Sequence, residues 1–425
     1  MRYLALTKND RQQMLKEIGV ENIDQLYDAV PSEFLLKKPI ENLPSHQGEI
    51  EVEKALKSFA NKNRAASDGA FFLGAGCYKH HIPSAVDHII QRSEFLTSYT
   101  PYQPEISQGT LAVIFQFQSI IALLTGMQVA NASLYDGATS LAEACLMAMR
   151  IKSDRKKIAV LGNVHPDYLA VTKTYLDLNE AKFVSEIDES CAALVVQYPD
   201  FGGEITNLDE VRKKCDAAGA LMIVATNEIL SLGLLDAPKQ ADICVGEASS
   251  LGVGLNFGGP LLGFFACKKE FVRQIPGRIC GSTTDADGKL GYVLTLNARE
   301  QHIRREKATS NICSNQGLCA TAFTIHASLL GEIGFKKLAL INHKNACDLA
   351  DELQKVKGVK ILNQNFFNEF TVELTKNAAE VNKKLLAKNI VGGFAQENKM
   401  ILAVSELTSQ EDIKNLALAL NEILN

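Results

Sequence analysis

The sequence predicts an α/β protein with a mainly parallel large-domain sheet and a small C-terminal α+β domain. Three observations carry that expectation. A chain of 425 residues exceeds what one hydrophobic core usually serves, so more than one domain is expected. From about residue 125, short apolar runs alternate with amphipathic stretches, and a β-α-β-α order demands crossover connections and a sheet covered on both faces. Near the C-terminus the rhythm changes: Phe370, Val372 and Leu374 alternate with polar neighbours between helical stretches, as in a half-buried strand.

The elements follow in order. Residues 1–60 read as a peripheral helical arm, because Thr7 and Asp10 form a capping-box pair and the apolar positions Met14 and Ile18 run up to Gly19. Residues 61–315 form the large domain. Its apolar tract 111–127 is interrupted by Gln116, Gln118 and Ser119, which favours a buried amphipathic helix over a membrane span. Strands are expected at 128–133, 157–161, 193–197, 221–225, 242–246 and 262–266, with helices opening at Gly137, Pro166 and Leu208. Residues 316–425 form the small domain, with helices at 317–340 and 378–388 and strands at 370–374 and 400–404. Thr408 and Glu411 form a second capping-box pair, followed by Ile413, Leu416, Ala417, Leu420 and Leu424 at helical spacing.

Composition narrows the function. Hydrophobic residues make up 46% and charged residues 22% of the chain, a globular balance that excludes disorder. Lys and Arg number 44 against 49 Asp and Glu, for a net charge of −5; no basic excess is available to neutralise nucleic-acid phosphates. Lys8, Asp10 and Arg11 interrupt the N-terminus before an apolar leader can form, so a cytoplasmic protein is expected. The ten cysteines are scattered without a C-x-x-C pair. They read as buried thiols, Cys313 and Cys319 among them, and no metal site is expected.

Four segments carry possible chemistry. Tyr135–Ser140 follows a strand and opens a helix, where free N–H groups favour an anion; Asp136 or Thr139 as a simple N-cap is the competing reading. His165, before Pro166, reads as a helix-start histidine. Residues 99–108 hold Tyr99, Thr100, Tyr102, Gln103, Glu105, Ser107 and Gln108 around Pro101 and Pro104, which break ladders and enforce a shaped loop. Residues 299–307 mix charge signs as a solvated helix face would.

The runs FFLGAGCYKHHIP from Phe71, SEFLTSYTPYQPEISQGTL from Ser93, GMQVANASLYDGATSLAEA from Gly126 and REQHIRREKATSNICSNQGL from Arg299 closely resemble the glycine cleavage system P-protein family. The half-length size is similar to subunit 1, alpha, of its two-subunit form. The resemblance implies a fold-type I pyridoxal-phosphate transferase-like architecture and a glycine dehydrogenase (aminomethyl-transferring, decarboxylating). Such an enzyme decarboxylates glycine and passes the aminomethyl group to the lipoyl arm of the H-protein.

It also implies a lysine just before a glycine-rich turn and an acidic partner on a strand. Here Gly258-Gly259-Pro260 is kept, but the residues counted back from it read Glu247-Ala248-Ser249-Ser250, leaving Ser249 at the degenerate lysine position. The strand 221–225 is wholly apolar. No cofactor is therefore expected to be bound covalently by this chain, and pyridoxal phosphate is expected on a partner beta subunit, in an alpha2beta2 assembly.

In that arrangement no residue is catalytic on this chain alone. The loop 99–108 would complete the partner's site. Arg299 and Arg304 would meet an anion, and Ser282 and Thr283, in a hydroxyl-rich loop 281–285, would approach the partner's cofactor phosphate. Two other readings stay open: a purely structural or docking subunit, and a stand-alone pyridoxal-phosphate enzyme using another lysine such as Lys239.

Overall fold

The computed structural model describes residues 6–38, 40–312 and 314–425; the Cys313 thiol expected in the core lies outside them. Two units are distinguished, Met1–Arg64 and Ala65–Asn425. In the first, the helix Lys8–Ile18 opens on the Thr7–Asp10 capping box and closes on Gly19 in the left-handed region, as the sequence indicates. Neither that helix nor the second one, Glu49–Ala60, buries a residue.

In the second unit seven strands form one sheet. Their spatial order is Val129–Ala130, Gly263–Cys267, Ile243–Glu247, Leu221–Thr226, Cys191–Gln197, Lys157–Leu161 and Lys182–Val184. Neighbours pair in parallel except at Gly263–Cys267, which is antiparallel to both flanking strands. The expected strands are all present, most within two residues of the expected bounds, whereas 128–133 is reduced to Val129–Ala130. The edge strand Lys182–Val184 is too short to give a periodic signal.

Every residue of Cys191–Gln197, Leu221–Thr226, Ile243–Glu247 and Gly263–Cys267 is buried, because helices cover both faces of the sheet. The apolar tract becomes the helix Gln108–Thr125, which passes a length-and-hydropathy test for a membrane span. It nevertheless contributes Phe117 and Ile121 to the core beneath the sheet. Gln118, one of the residues that interrupts the tract, is buried there and pairs with both backbone groups of Cys280 at 2.9 and 2.8 Å.

The second lobe is built on a four-stranded antiparallel sheet, Val359–Ile361, Glu369–Leu374, Lys399–Ala403 and Phe394–Gln396 in that order. Its final helix, Gln410–Leu424, is capped by Ser409 and Asp412. The expected Thr408–Glu411 box is thus displaced by one residue; the Thr408 hydroxyl instead accepts the Ser405 N–H.

The expected helix 317–340 runs on to Leu353, with a non-helical residue at Gly331. Cys319, Phe323, Phe335 and Ala339 pack in the core under the large sheet, whereas Ala346, Leu349 and Leu353 pack in the core of the small one. The small core also takes Phe72, from the N-terminal side of the large domain. Of the nine described cysteines seven are buried; Cys77 is exposed and Cys347 half-buried, so buried thiols are the rule with these two exceptions.

A seam joins the two lobes through residues 72–81. The Phe72 N–H donates to Val391 and its carbonyl accepts from Ala403, both in the small lobe. The Glu369 carboxylate accepts the Ala75 N–H at 2.5 Å and the Tyr78 hydroxyl at 2.8 Å. His80 then lies between two carboxylates, with Nε2 at 3.0 Å from Glu228 of the large lobe and Nδ1 at 2.9 Å from Glu406 of the small one.

Candidate functional site

In an open α/β sheet the functional crevice lies outside the carboxyl ends of the parallel strands. Here that crevice is filled. Helix Gly137–Ile151 starts at its edge, and Asp136 and Thr139 cap each other reciprocally, the simpler of the two readings of this turn. The Gly137 N–H, pointing into the crevice, donates at 3.0 Å to Glu247 Oε2; Glu247 Oε1 accepts the Leu262 and Ser249 N–H groups at 2.7 and 3.1 Å. Burial raises the pKa of Glu247 against the opposing pull of these donors.

Tyr168 closes the same turn so tightly that a Cβ on Gly137 would collide with its hydroxyl. That hydroxyl donates to Asn227 at 2.9 Å. His165 stacks on Tyr168 at 4.9 Å and meets Phe201 edge-on at 4.7 Å. Its Nδ1 accepts the Asp167 N–H, making it the helix-start histidine expected, and burial lowers its pKa. A small cavity there is lined by Tyr78, Asp200, Glu228 and Glu369 among others. It holds about one water-sized volume. Burial, seconded by Glu228 and Asp200, raises the Glu369 carboxyl to about 7. Lys239 stands before strand Ile243–Glu247, against Gly126, on the amino-terminal side of that strand and not at its carboxyl end where the crevice lies.

The loop 99–108 is on the surface. Pro104, Tyr102 and their neighbours fold it through backbone contacts from Tyr102 to Thr100 and from Ile106 to Gln103, and Ser107 hands over to helix Gln108–Thr125. Tyr99 is 78% and Tyr102 51% exposed; Thr100 is half-buried, while Gln103 and Glu105 are exposed. Tyr99 meets the Ser314 hydroxyl at 3.1 Å. Tyr102 is held from behind: its hydroxyl accepts from Arg278 Nη2 at 3.0 Å, the guanidinium lies 5.3 Å from its ring, and His302 packs edge-on at 5.4 Å.

Arg278, only 3% exposed, is the organising residue that sequence reasoning missed. A lone arginine between a Pro-Gly turn and a strand carries no periodic signal. Its Nε approaches Glu300 at 3.3 Å, and Nη1 lies 3.4 Å from Asn315. Glu300 Oε1 is buried without a hydrogen-bond partner among the described residues.

Several expected site residues have other roles. Arg299 donates to the carbonyls of Ile275, Gly277 and Leu296, so its fork is committed to backbone rather than to an anion, and it fixes the turn that presents Arg278. Arg304 is exposed, but residues 299–307 form short separate turns rather than one charged helix face. Ser282 and Thr283 belong to the strand Ile279–Thr284, paired with Leu290–Thr295, and not to a loop; both are exposed. Gln108 spends its amide on both backbone groups of Tyr292 and on the Pro104 carbonyl, bracing the loop instead of facing a ligand. Ser249 is half-buried with its N–H on Glu247.

The model for the family described as "Glycine cleavage system P-protein" matches residues 1–420. The "Probable glycine dehydrogenase (decarboxylating) subunit 1" of Caulobacter vibrioides is 50% identical over 448 residues, covering 100% of this chain and 99% of that one. The protein of the same name from Parvibaculum lavamentivorans is 50% identical over 450 residues, with 100% of both covered.

Among solved structures, a crystal structure of glycine decarboxylase (P-protein) of the glycine cleavage system, in inhibitor-bound form, superposes with a TM-score of 0.91 at 40% identity, covering 100% of both chains. Mouse CSAD in apo form matches at TM-score 0.67 and 14% identity over 95% of this chain and 92% of that one, a likeness of fold alone. The fold is that of the fold-type I pyridoxal-phosphate enzymes.

The residues of this chain's own crevice do not fit that cofactor. No lysine follows strand Ile243–Glu247 before Pro260, and a carboxylate already holds the helix terminus. With its full-length match to the family model, its half-identical relatives and its shared architecture, the chain belongs to the glycine cleavage system P-protein family.

Proposed function

We propose that this chain is the subunit of a two-subunit glycine dehydrogenase (decarboxylating) that carries no cofactor of its own. It pairs with a beta subunit that holds pyridoxal phosphate, in an alpha2beta2 assembly working in the cytoplasm, and completes the partner's site for glycine and for the lipoyl arm of the H-protein. The observation that carries this reading is the presentation of Tyr102: an aromatic half out of the surface, anchored by a buried guanidinium.

A monomer gains nothing from ordering an exposed tyrosine with a buried charge. A neighbouring site gains a rigid apolar face with a polar tip, at little entropic cost on assembly. Tyr99 and Glu105 stand on the same loop, the carboxylate of Glu105 being suited to pair with a substrate amine or hold its proton.

Substituting Tyr102→Ala and Glu105→Gln one at a time in the assembled enzyme tests the proposal. Each is expected to lower glycine turnover about tenfold or more while the complex still elutes at its full size. Unchanged turnover with the complex intact would leave the chain a docking subunit only.

A further inference from the structure

We infer that Glu247 is the resident anion of this chain, an internal carboxylate that occupies the N-terminus of helix Gly137–Ile151, the anion-favouring end of a helix at the carboxyl ends of the parallel strands, and thereby shuts the crevice to a phosphorylated cofactor. The inference rests on the geometry of the crevice and on the fold, not on the proposed role of the 99–108 loop.

The argument starts from the donors. A helix N-terminus exposes N–H groups that need acceptors, and its dipole favours negative charge. In the 15-residue helix Gly137–Ile151 the Asp136 side chain takes the Thr139 N–H. The Gly137 N–H is directed instead to Glu247, a residue 110 positions away at the carboxyl end of a central strand. The same carboxylate gathers Leu262 and Ser249 N–H groups, so three backbone donors from three segments converge on one side chain that is 6% exposed.

Converging donors of this kind are what a bound phosphate ordinarily requires. Here the charge is supplied by the chain itself. The terminus is closely packed: Tyr168 abuts the first helical residue, and a Cβ on Gly263 would run into the Asp136 carbonyl. A phosphate entering beside Glu247 would also meet a buried like charge, which is strongly unfavourable at short range in a medium of low polarity.

An isolated buried carboxylate is costly, and this one persists because its donors are preorganised. Removing it strands them. The loss therefore registers as instability of the large lobe, and an external anion that reaches the vacated terminus offsets part of it. That anion dependence is the signature that separates a phosphate surrogate from an ordinary buried side chain.

The test uses the full chain with Glu247→Ala and Glu247→Gln, melted with and without inorganic phosphate, sodium chloride being the control at matched ionic strength. The unsubstituted chain is expected to melt at the same temperature in phosphate and in chloride. Glu247→Ala should melt several degrees lower and regain part of that shift in phosphate but not in chloride. Glu247→Gln keeps the volume and one acceptor oxygen, so it should melt at an intermediate temperature and ignore phosphate. A phosphate-specific rise in the unsubstituted chain would overturn the inference, as would a Glu247→Ala chain that is folded yet indifferent to phosphate. Should Glu247→Ala fail to fold, Glu247→Gln melting together with the unsubstituted chain would overturn it equally.

Discussion

Replacing Arg278 by methionine is expected to cost roughly 3–5 kcal/mol of stability and to abolish most glycine turnover of the assembled enzyme. The stability effect follows from what the guanidinium leaves behind. Glu300, its side chain 9% exposed, lies 3.3 Å from Arg278 Nε, and without the arginine it is a buried charge left with His302 at 3.8 Å and the more distant field of Arg299, whose own hydrogen bonds go to backbone carbonyls. The functional effect follows from Tyr102, which loses both the hydrogen bond and the cation beneath its ring.

Two further variants separate the effects. Arg278→Lys keeps the charge but not the fork that reaches Tyr102, Glu300 and Asn315 together; it should retain much of the stability and lose turnover. Arg278→Met combined with Glu300→Gln removes the stranded charge, so it should regain stability without regaining turnover. Urea unfolding and steady-state kinetics measure both quantities. If the double variant turns over glycine normally, Arg278 does not position the Tyr102 loop for chemistry.

The second large effect is expected at the seam. His80→Gln should destabilise the Ala65–Asn425 unit by a few kcal/mol near pH 6 and flatten the dependence of its stability on pH. Burial alone pushes His80 down, but Glu228 and Glu406 outweigh it and hold the imidazole at about 10. Ser250 donates to Glu228 at 2.8 Å and Asn342 to Glu406 at 3.2 Å. Nearby His326 is kept neutral by burial, with its pKa at about 4.

A group whose pKa is raised on folding stabilises fully below its unfolded value, and the benefit is lost as pH rises through the folded one. For His80 the window therefore runs from about 6.5 to about 10. Glu369, raised by burial to about 7, acts earlier: between about 4.5 and 7 its ionisation adds a growing cost to the folded state. Glu406 has the opposite sign: held down at about 2 by His80 against its own burial, it stabilises above 4.5 and loses that on acidification toward 2. Chemical denaturation between pH 7 and pH 9 should therefore show stability falling across that range in the unsubstituted chain, by an amount on the order of a few kcal/mol. In His80→Gln most of that fall should disappear. Parallel curves for the two chains would show that His80 is neutral in the fold.

Much of the architecture was legible because it is written in local periodicity. The buried parallel strands are continuous apolar runs, and helices such as Lys8–Ile18 and Pro166–Leu178 announce themselves by caps. The site was legible only in part. Tyr99, Tyr102 and Glu105 sit on the exposed loop that their composition suggested, whereas Arg299 and Gln108 turned out to brace backbone.

What the sequence hid were pairings across long separations. Glu247 could be read as the residue standing near a missing lysine, but nothing local showed that its carboxylate reaches the Gly137 N–H. His80 has no local partner that would mark it, and its two carboxylates lie 148 and 326 residues away. Ser282 and Thr283 read as a loop because hydroxyl-rich, glycine-flanked stretches usually are; their hairpin is held by Gln108 and Gln118, which sequence reading assigned elsewhere.

The helix Gly317–Leu353 bears on how such an enzyme opens. Its break at Gly331 precedes Phe335 and Ala339, which still belong to the large-lobe core, so the interruption falls short of the boundary between lobes. A continuous stiff rod thus crosses from one core into the other, beside a cation clamped between carboxylates of both. A small lobe fastened in this way cannot swing as a lid. Any opening of the crevice must then come from its surface loops, with the two lobes of the Ala65–Asn425 unit keeping their mutual orientation.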